Sequence, residues 1–449
     1  MEDNKPPINV LVRDKFTMQS EGLFSLEEPL VLSFHGKARN MRNDLEKIER
    51  GIKSKIDPTI LDLYNIALVV YVWDLQTQRL QFEPRDFRVL MSVSNKDKWN
   101  GLKQHLETML RLLTGDTFEF NFVQGKPAER EFHFQKKSDE CVALFSAGID
   151  SLAGVKWMFE RNLKPVLVSH PGMGLISKAQ RKLVEGLKKM SGNGLKWHQI
   201  RATAEGGKDL EGKEFTQFSR SFLYLTLGAI YSLTLGIERQ FIFENGILAL
   251  NVPLTPSRIY SSTRTANPRF VKMYEELLGL LFGRHVTIEN PFLGLTKGEV
   301  AKILDANGFR DMIKIAMSCP EVSRLRYEGV KTSKTRHCGI CLPCVIRRVS
   351  MHHANLWSND AKYAQDITAP YSAIPEAARK LLFEMMDFAR RIDKCSTVDD
   401  VFIEFPEFFI GEDVDPSMLF DTTKRHVAQF KNFLVERAHQ TLRQNLGLP

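Results

Sequence analysis

Cys141-Val142-Ala143-Leu144-Phe145-Ser146-Ala147-Gly148-Ile149-Asp150-Ser151 passes from an apolar run through a short stretch of small and hydroxyl-bearing residues. It then enters the helix-like Leu152-Ala153-Gly154-Val155-Lys156-Trp157-Met158-Phe159. A buried strand, a tight turn and a helix N-terminus in that order make an anion site. Successive backbone N–H groups form a nest, the helix dipole favours negative charge, and hydroxyls add donors. Ala147 and Gly148 are small enough to let the backbone approach a phosphate closely. No lysine stands where a GxxxxGK[ST] loop would need one to reach a γ-phosphate. Ser146, Ala147, Gly148, Ile149, Asp150 and Ser151 are therefore the candidate nucleotide-binding residues, with Asp150 also a candidate catalytic group. The competing reading is an ordinary strand–turn–helix junction in which Asp150 caps the helix.

Working outward from the loop, strands and helices alternate. Lys164–His170, Lys196–Arg201, Gln240–Asn245 and His285–Glu289 read as further strands. Alternating βα units predict an α/β fold with a doubly wound parallel sheet, whose ligand lies beyond the carboxyl ends of the strands. Glu244 and Asn245 stand at such an end and join the candidate cofactor-binding set. Ser221 to Ile237 carries no charge, yet it falls short of the roughly 20 strongly apolar residues a membrane span needs, so it reads as a buried core helix. Arg220, at its start, is a candidate clamp on a phosphate or a carboxylate. Equally it could be a cation snorkelling from a helix end. Thr296 and Glu299 read as a capping box, which places Lys297 in a first helical turn, facing either the crevice or solvent. His170 reads as a packed histidine.

A second constellation lies downstream. Cys338, Cys341 and Cys344 are closely spaced, and Cys319 supplies a fourth thiol. Four thiolates suit the tetrahedral preference of Zn²⁺ in a closed, structural site. Gly339 and Pro343 are fitting turn residues there. Arg336, His337, Arg347 and Arg348 nearby favour the thiolate form. An iron–sulfur cluster, a redox pair and plain reduced cysteines remain alternatives.

Loop and cysteines together resemble the PP-loop ATP pyrophosphatases, whose SGGxDS loop holds the pyrophosphate of ATP. More narrowly they resemble the QueC-like enzymes, the 7-cyano-7-deazaguanine synthases, from about residue 139 to 350. Ser146, Gly148, Asp150 and Ser151 match the loop, with Ala147 in place of the family's first glycine. Ser219-Arg220-Ser221-Phe222 is similar to its GRN-type helix start. Pro291-Phe292 with Leu295-Thr296-Lys297-Gly298-Glu299 is similar to its PL…LTKxE segment. Cys319, Cys338, Cys341 and Cys344, with Arg347 after them, match its zinc motif. Tyr260-Ser261-Ser262 with Asn267-Pro268-Arg269-Phe270 aligns poorly with its YSGYPDCRPEF stretch, where Thr265 and Asn267 replace an Asp and an Arg. The resemblance implies an adenine nucleotide alpha hydrolase-like fold, a zinc-binding segment, ATP and Mg²⁺ as cofactors, and an enzyme that releases AMP and pyrophosphate. Asp150, Arg220 and Lys297 are the implied catalytic groups.

The chain is longer than a single-domain synthase of this type. Long forms resemble the QueC-like proteins of the Qat and CBASS anti-phage systems, which implies joining a deazapurine carboxylate to a partner protein of the same defence operon. A tRNA-modification synthase and a degenerate nucleotide-binding protein are the other expectations.

Three regions are expected: an N-terminal α+β recognition block (1–138), the PP-loop domain with its zinc site (139–360) and a C-terminal helical region (361–449). The block shows strand-like Leu30–Phe34 and Phe118–Phe122 and an apolar helix over Leu61–Trp73, with no catalytic constellation. It therefore reads as serving recognition: its removal, if the remainder stays folded, should leave ATP and small-carboxylate activation largely intact while losing partner modification. Ala377–Ile392 and Thr423–Leu446 read as helices. Net charge is +8, a bias that suits ATP, acidic partners or nucleic acid without choosing among them. Six cysteines, four of them grouped, do not form a secreted disulfide framework, and the start resembles no signal peptide. A cytoplasmic protein without a membrane span is the expectation.

Overall fold

The computed structural model describes residues 6–20, 27–35, 39–79, 83–127, 138–172, 174–192, 194–204, 218–256, 264, 266–320, 337–406 and 414–449. Tyr260–Ser262, Thr265 and Arg336 lie outside the described residues, as does most of the polar boundary before residue 139. The strands are β1 (Ile8–Val12), β2 (Leu30–Leu32), β3 (Met41–Arg42), β4 (Asp86–Val93), β5 (Thr117–Gln124) and β6 (Glu140–Leu144). There follow β7 (Lys164–Ser169), β8 (Lys196–Gln199), β9 (Thr203–Ala204), β10 (Arg239–Phe241) and β11 (Thr287–Glu289).

The central sheet has the order β11-β10-β6-β7-β8, and every pairing in it is parallel. Helices cross between the strands, because parallel neighbours need a crossover rather than a hairpin. Chain direction across the sheet reverses between β6 and β10, the switch point where doubly wound sheets bind ligands. The turn after β6 is the Ser146–Ser151 loop, and the turn after β10 carries Glu244 and Asn245. β10 is shorter than its apolar run, since Asn245 caps a short helix, Gly246–Ala249, by accepting from Leu248 N.

The N-terminal strands differ from the α+β expectation. Their sheet, β2-β1-β4-β5, is also wholly parallel. The cause is again the crossovers: helix Pro58–Gln76 precedes β4, and helix Lys96–Thr114 joins it to β5. Phe118, Phe120 and Phe122 alternate inward along β5. Phe118 stacks on Trp73 with centroids 5.5 Å apart.

Helix Pro58–Gln76 decides how this block sits. Asp57 caps it by accepting from Thr59 N, and Pro58 occupies its first turn. It is apolar nearly all round, so both of its faces are buried. Among the described residues it is the one helix long and apolar enough to cross a membrane, and it lies mostly inside the protein. One of its faces packs on helix Arg220–Leu235. A single hydrophobic core therefore runs from Val10, Leu68 and Phe87 through to Val142, Val166 and Phe222. β3 also pairs antiparallel with β9, binding the block to the segment after β8.

The C-terminal region is helical and has its own apolar cluster around Val345, Leu382, Phe388 and Phe433. The stretch read as one helix over Thr423–Leu446 is two, Pro416–Arg437 and Gln440–Asn445. His439 opens the second, its side chain accepting from Thr441 N.

Residues 1–138 share their core with the central sheet, so the remainder is not expected to stay folded without them. A fragment beginning at residue 139 exposes the face of helix Arg220–Leu235 that covers Leu68 and its neighbours. Such a fragment should lack a cooperative thermal transition, whereas Trp73→Ala in the full chain should retain one while losing about 3–5 kcal/mol. Calorimetry of the two proteins checks this.

Candidate active site and metal centre

Gly148 is the N-cap of helix Ile149–Glu160 and supplies no side-chain cap. A Cβ on it would lie 3.3 Å from Ser146 Oγ, so the turn is drawn tight. Ser146 Oγ accepts from Gly148 N at 3.2 Å and lies 3.2 Å from Ser151 Oγ. Two hydroxyls thus stand together at the mouth of the N-terminus. Ile149 is wholly buried and offers only its backbone. Ala147 adopts φ +70°, the left-handed region glycine prefers, and it is 0% exposed. Its carbonyl accepts from Met317 N at 2.8 Å. That bond ties the loop to the segment leading into Cys319.

Asp150 does not cap its own helix. Its Oδ2 accepts from Lys297 Nζ at 2.8 Å and from Asn245 Nδ2 at 2.9 Å, all three side chains being buried. Burial alone would raise the Asp150 pKa. The Lys297 ammonium, with the hydrogen bonds that Lys297 and Asn245 donate, outweighs burial and holds the carboxyl below its ordinary value. Asn245 Nδ2 also donates to Glu244 Oε1 at 3.1 Å. The other Asp150 oxygen, Oδ1, is buried without a hydrogen-bond partner. Thus Asp150, Glu244, Asn245 and Lys297 form one cluster beneath the loop. Lys297 reaches it because the capping box is realised: Thr296 accepts from Glu299 N, and the Glu299 side chain accepts from Thr296 N.

Arg220 stands elsewhere on the same edge. Its guanidinium lies 5.7 Å over the Tyr224 ring, and its Nε is buried without a partner. Tyr224 packs on His170, centroids 5.3 Å apart, and Tyr71 meets His170 edge-on at 5.9 Å. His170 Nε2 bonds to Ala202 O at 2.6 Å. Burial, reinforced by Arg220 and Arg201, lowers its pKa to about 4, so it is neutral at pH 7. The preceding residue, Ser169, donates to Phe145 O at 2.6 Å, which sets this aromatic wall beside the start of the Ser146–Ser151 loop. Asn267 Oδ1 accepts from Arg269 N and Phe270 N, capping helix Pro268–Phe282.

The four sulfurs of Cys319, Cys338, Cys341 and Cys344 lie within 4.8 Å of one another. Cys319–Cys341 measures 3.9 Å and Cys338–Cys344 3.7 Å. Zn–S bonds near 2.3 Å in a tetrahedron put sulfurs about 3.8 Å apart, so the cage could hold one zinc ion. A multi-iron cluster has to span more than one metal and would spread the thiolates further. Cys341 N and Ile340 N donate to Cys338 Sγ at 3.3 and 3.4 Å. Gly339 makes that turn at φ +89°, where a Cβ would lie 2.1 Å from Gln365 O. Arg347 neither caps the helix nor pairs with thiolates. It is fully buried and donates to Asp360 Oδ1, Ala316 O and Ile313 O, each at 2.8 Å. It thereby clamps the strand of chain that carries Cys319. Nothing local in the sequence signalled Asp360 or the Met317–Ala147 bond, because both depend on long-range pairing.

Two outcomes follow from this geometry. Ala147→Gly should leave stability within about 1 kcal/mol of the original, since relief at positive φ offsets the lost methyl and the freer unfolded chain. Ala147→Val should cost more than about 2 kcal/mol, because a branched side chain has neither the space nor the backbone conformation. Thermal melts of both distinguish them. Elemental analysis should find one zinc per chain, and Cys341→Ser should lower metal content and folded yield together.

Residues 183–355 match the family model described as Queuosine biosynthesis protein QueC. The match covers under half of the chain. It includes Arg220, Glu244, Asn245, Lys297 and all four cysteines, and it begins after the phosphate loop. No curated protein matches the chain. Residues 183–355 are thus similar to QueC, and the parallel sheet and four-cysteine cage are consistent with a PP-loop fold.

Proposed function

We propose that the chain activates a deazapurine carboxylate as its adenylate and passes the acyl group to an amine, with Ser146–Ser151 cradling the pyrophosphate of ATP. One observation carries this reading. Lys297, Asn245 and Glu244, all from the family-matched segment, converge on Asp150 of the loop at the switch point of the sheet.

The residues fit a magnesium ion: Asp150 Oδ1 is buried without a partner, and the Glu244 carboxyl is within hydrogen-bonding reach of the same side chain. Carboxylate oxygens are the donors Mg²⁺ takes. When bound, it would offset the charge of the leaving pyrophosphate. Ser146 and Ser151 donate to phosphate oxygens, and the helix N-terminus adds its backbone N–H groups. Lys297, bonded to Asp150, and Arg220, at the start of its helix, supply positive charge. The substrate carboxylate attacks the α-phosphorus, the bond to the bridging oxygen breaks, and pyrophosphate leaves with the electron pair. An amine then attacks the acyl carbon, the bond to AMP breaks, and the nitrogen gives its proton to solvent. No side-chain nucleophile is required, because positioning and charge stabilisation supply the acceleration.

The favoured amine belongs to a partner protein of a cytoplasmic anti-phage system. Sequence on both flanks of the QueC-like segment supports that choice. The family description favours a second reading, synthesis of 7-cyano-7-deazaguanine, in which ammonia is the amine and a further adenylation of the amide yields the nitrile. Incubation with ATP, Mg²⁺ and 7-carboxy-7-deazaguanine should release AMP and pyrophosphate. Asp150→Ala should lower that turnover at least tenfold, about 1.4 kcal/mol, in a folded protein. ADP as the product would overturn the adenylation reading. A nitrile formed with ammonium alone would favour the second.

A further inference from the structure

Among the described residues the N-terminal sheet and its helices show no metal-ligand cluster of their own, yet they hold a buried charge network that reaches helix Arg220–Leu235. Asp74 ends the apolar run of helix Pro58–Gln76 and is 1% exposed. Its Oδ1 accepts from Arg85 Nη2 at 2.7 Å, and Arg85 and Arg79 both reach Asp116 Oδ2 at 2.7 Å. The other oxygen, Asp74 Oδ2, leaves the block. It accepts from Ser219 N at 2.9 Å and from Ser219 Oγ at 2.8 Å. Ser219 is the N-cap of helix Arg220–Leu235, is itself 0% exposed, and directly precedes Arg220.

An N-cap normally closes its helix with its own side chain. Here the Ser219 hydroxyl makes no such cap. It turns to Asp74 instead, so a carboxylate from helix Pro58–Gln76 fixes the first turn of this helix. A buried acid is costly unless fully satisfied. Asp74 is satisfied from two sides: by Arg85 within its block and by Ser219 across the boundary. Tyr71, one turn earlier on the same helix, packs edge-on against His170. The helix therefore fixes both ends of the wall on which Arg220 lies.

We propose that Asp74 is a positioning residue: through Ser219 it holds Arg220 where its guanidinium meets an anionic group of bound ATP. This rests on the reading of Arg220 as part of the nucleotide site. The N-terminal block is then a working part of that site and not an appended recognition module.

Mg·ATP binding to the full chain, measured by calorimetry, tests this with four proteins: the original, Asp74→Asn, Arg220→Ala and the double variant. Asp74→Asn keeps a hydrogen-bonding group of the same size, and Arg85 retains Asp116. The expected result is a Kd at least fivefold weaker for Asp74→Asn and for Arg220→Ala. In the Arg220→Ala background Asp74→Asn should add less than twofold. Phe122→Ala removes a ring packed on Trp99, away from Ser219. It should lower Tm without moving Kd, which separates positioning from general loosening. Multiplying effects in the double variant, or an unchanged Kd for Asp74→Asn, would overturn the role of Asp74 while leaving the ATP site standing. An unchanged Kd for Arg220→Ala, or no binding by the original chain, would instead overturn the reading of the site and the inference with it.

Discussion

A carboxylate buried under a tight strand-to-helix turn is first of all an electrostatic problem. Asp150 carries its charge in the interior because Lys297 stands 2.8 Å away and Asn245 donates to the same oxygen. Removing either partner from such a pair leaves an uncompensated charge, which is far more damaging than the pair is stabilising. The partners come from separate βα units, so the sheet must close in one register before the charge is tolerated. This pair makes the Ser146–Ser151 loop and the family-matched segment one object.

The cysteine cage serves the same turn from the other side. Cys319 is two residues from Met317, whose N–H binds the carbonyl of Ala147, and Arg347 grips the carbonyls of Ile313 and Ala316 just upstream. A closed four-thiolate site offers no open position for chemistry. Its contribution is rigidity: it fixes the chain that holds Ala147 in a conformation alanine does not choose for itself.

Much of this was legible in the residues. The loop announced itself by small and hydroxyl residues between an apolar strand and a helix. The five central strands followed from βα alternation, and the cage followed from cysteine spacing. Other features were not legible, for identifiable reasons. A strand's own pattern does not say whether its neighbour runs parallel, so the N-terminal sheet was misread as α+β. Arg347 and Asp74 each act on backbone far away in sequence, and no local period encodes that. Asp74 did leave a trace, a single acid at the end of an otherwise uncharged stretch, Ile66 to Trp73. The trace is ambiguous until the fold shows Ser219 above it.

The grip of the last long helix on the capping box bears on how the protein is made. Gln429 Nε2 donates to Thr296 Oγ1 at 2.8 Å, and Arg425 Nε donates to Glu299 Oε1 at 2.7 Å. Thr296 and Gln429 are 133 residues apart. A chain still on the ribosome has its phosphate loop and Lys297 long before it has residues 425–429. The turn that presents Lys297 therefore gains this brace only after residues 425–429 have been made. A chain that has not yet reached residue 429 holds Lys297 and Asp150 without the contacts that Arg425 and Gln429 make to the capping box.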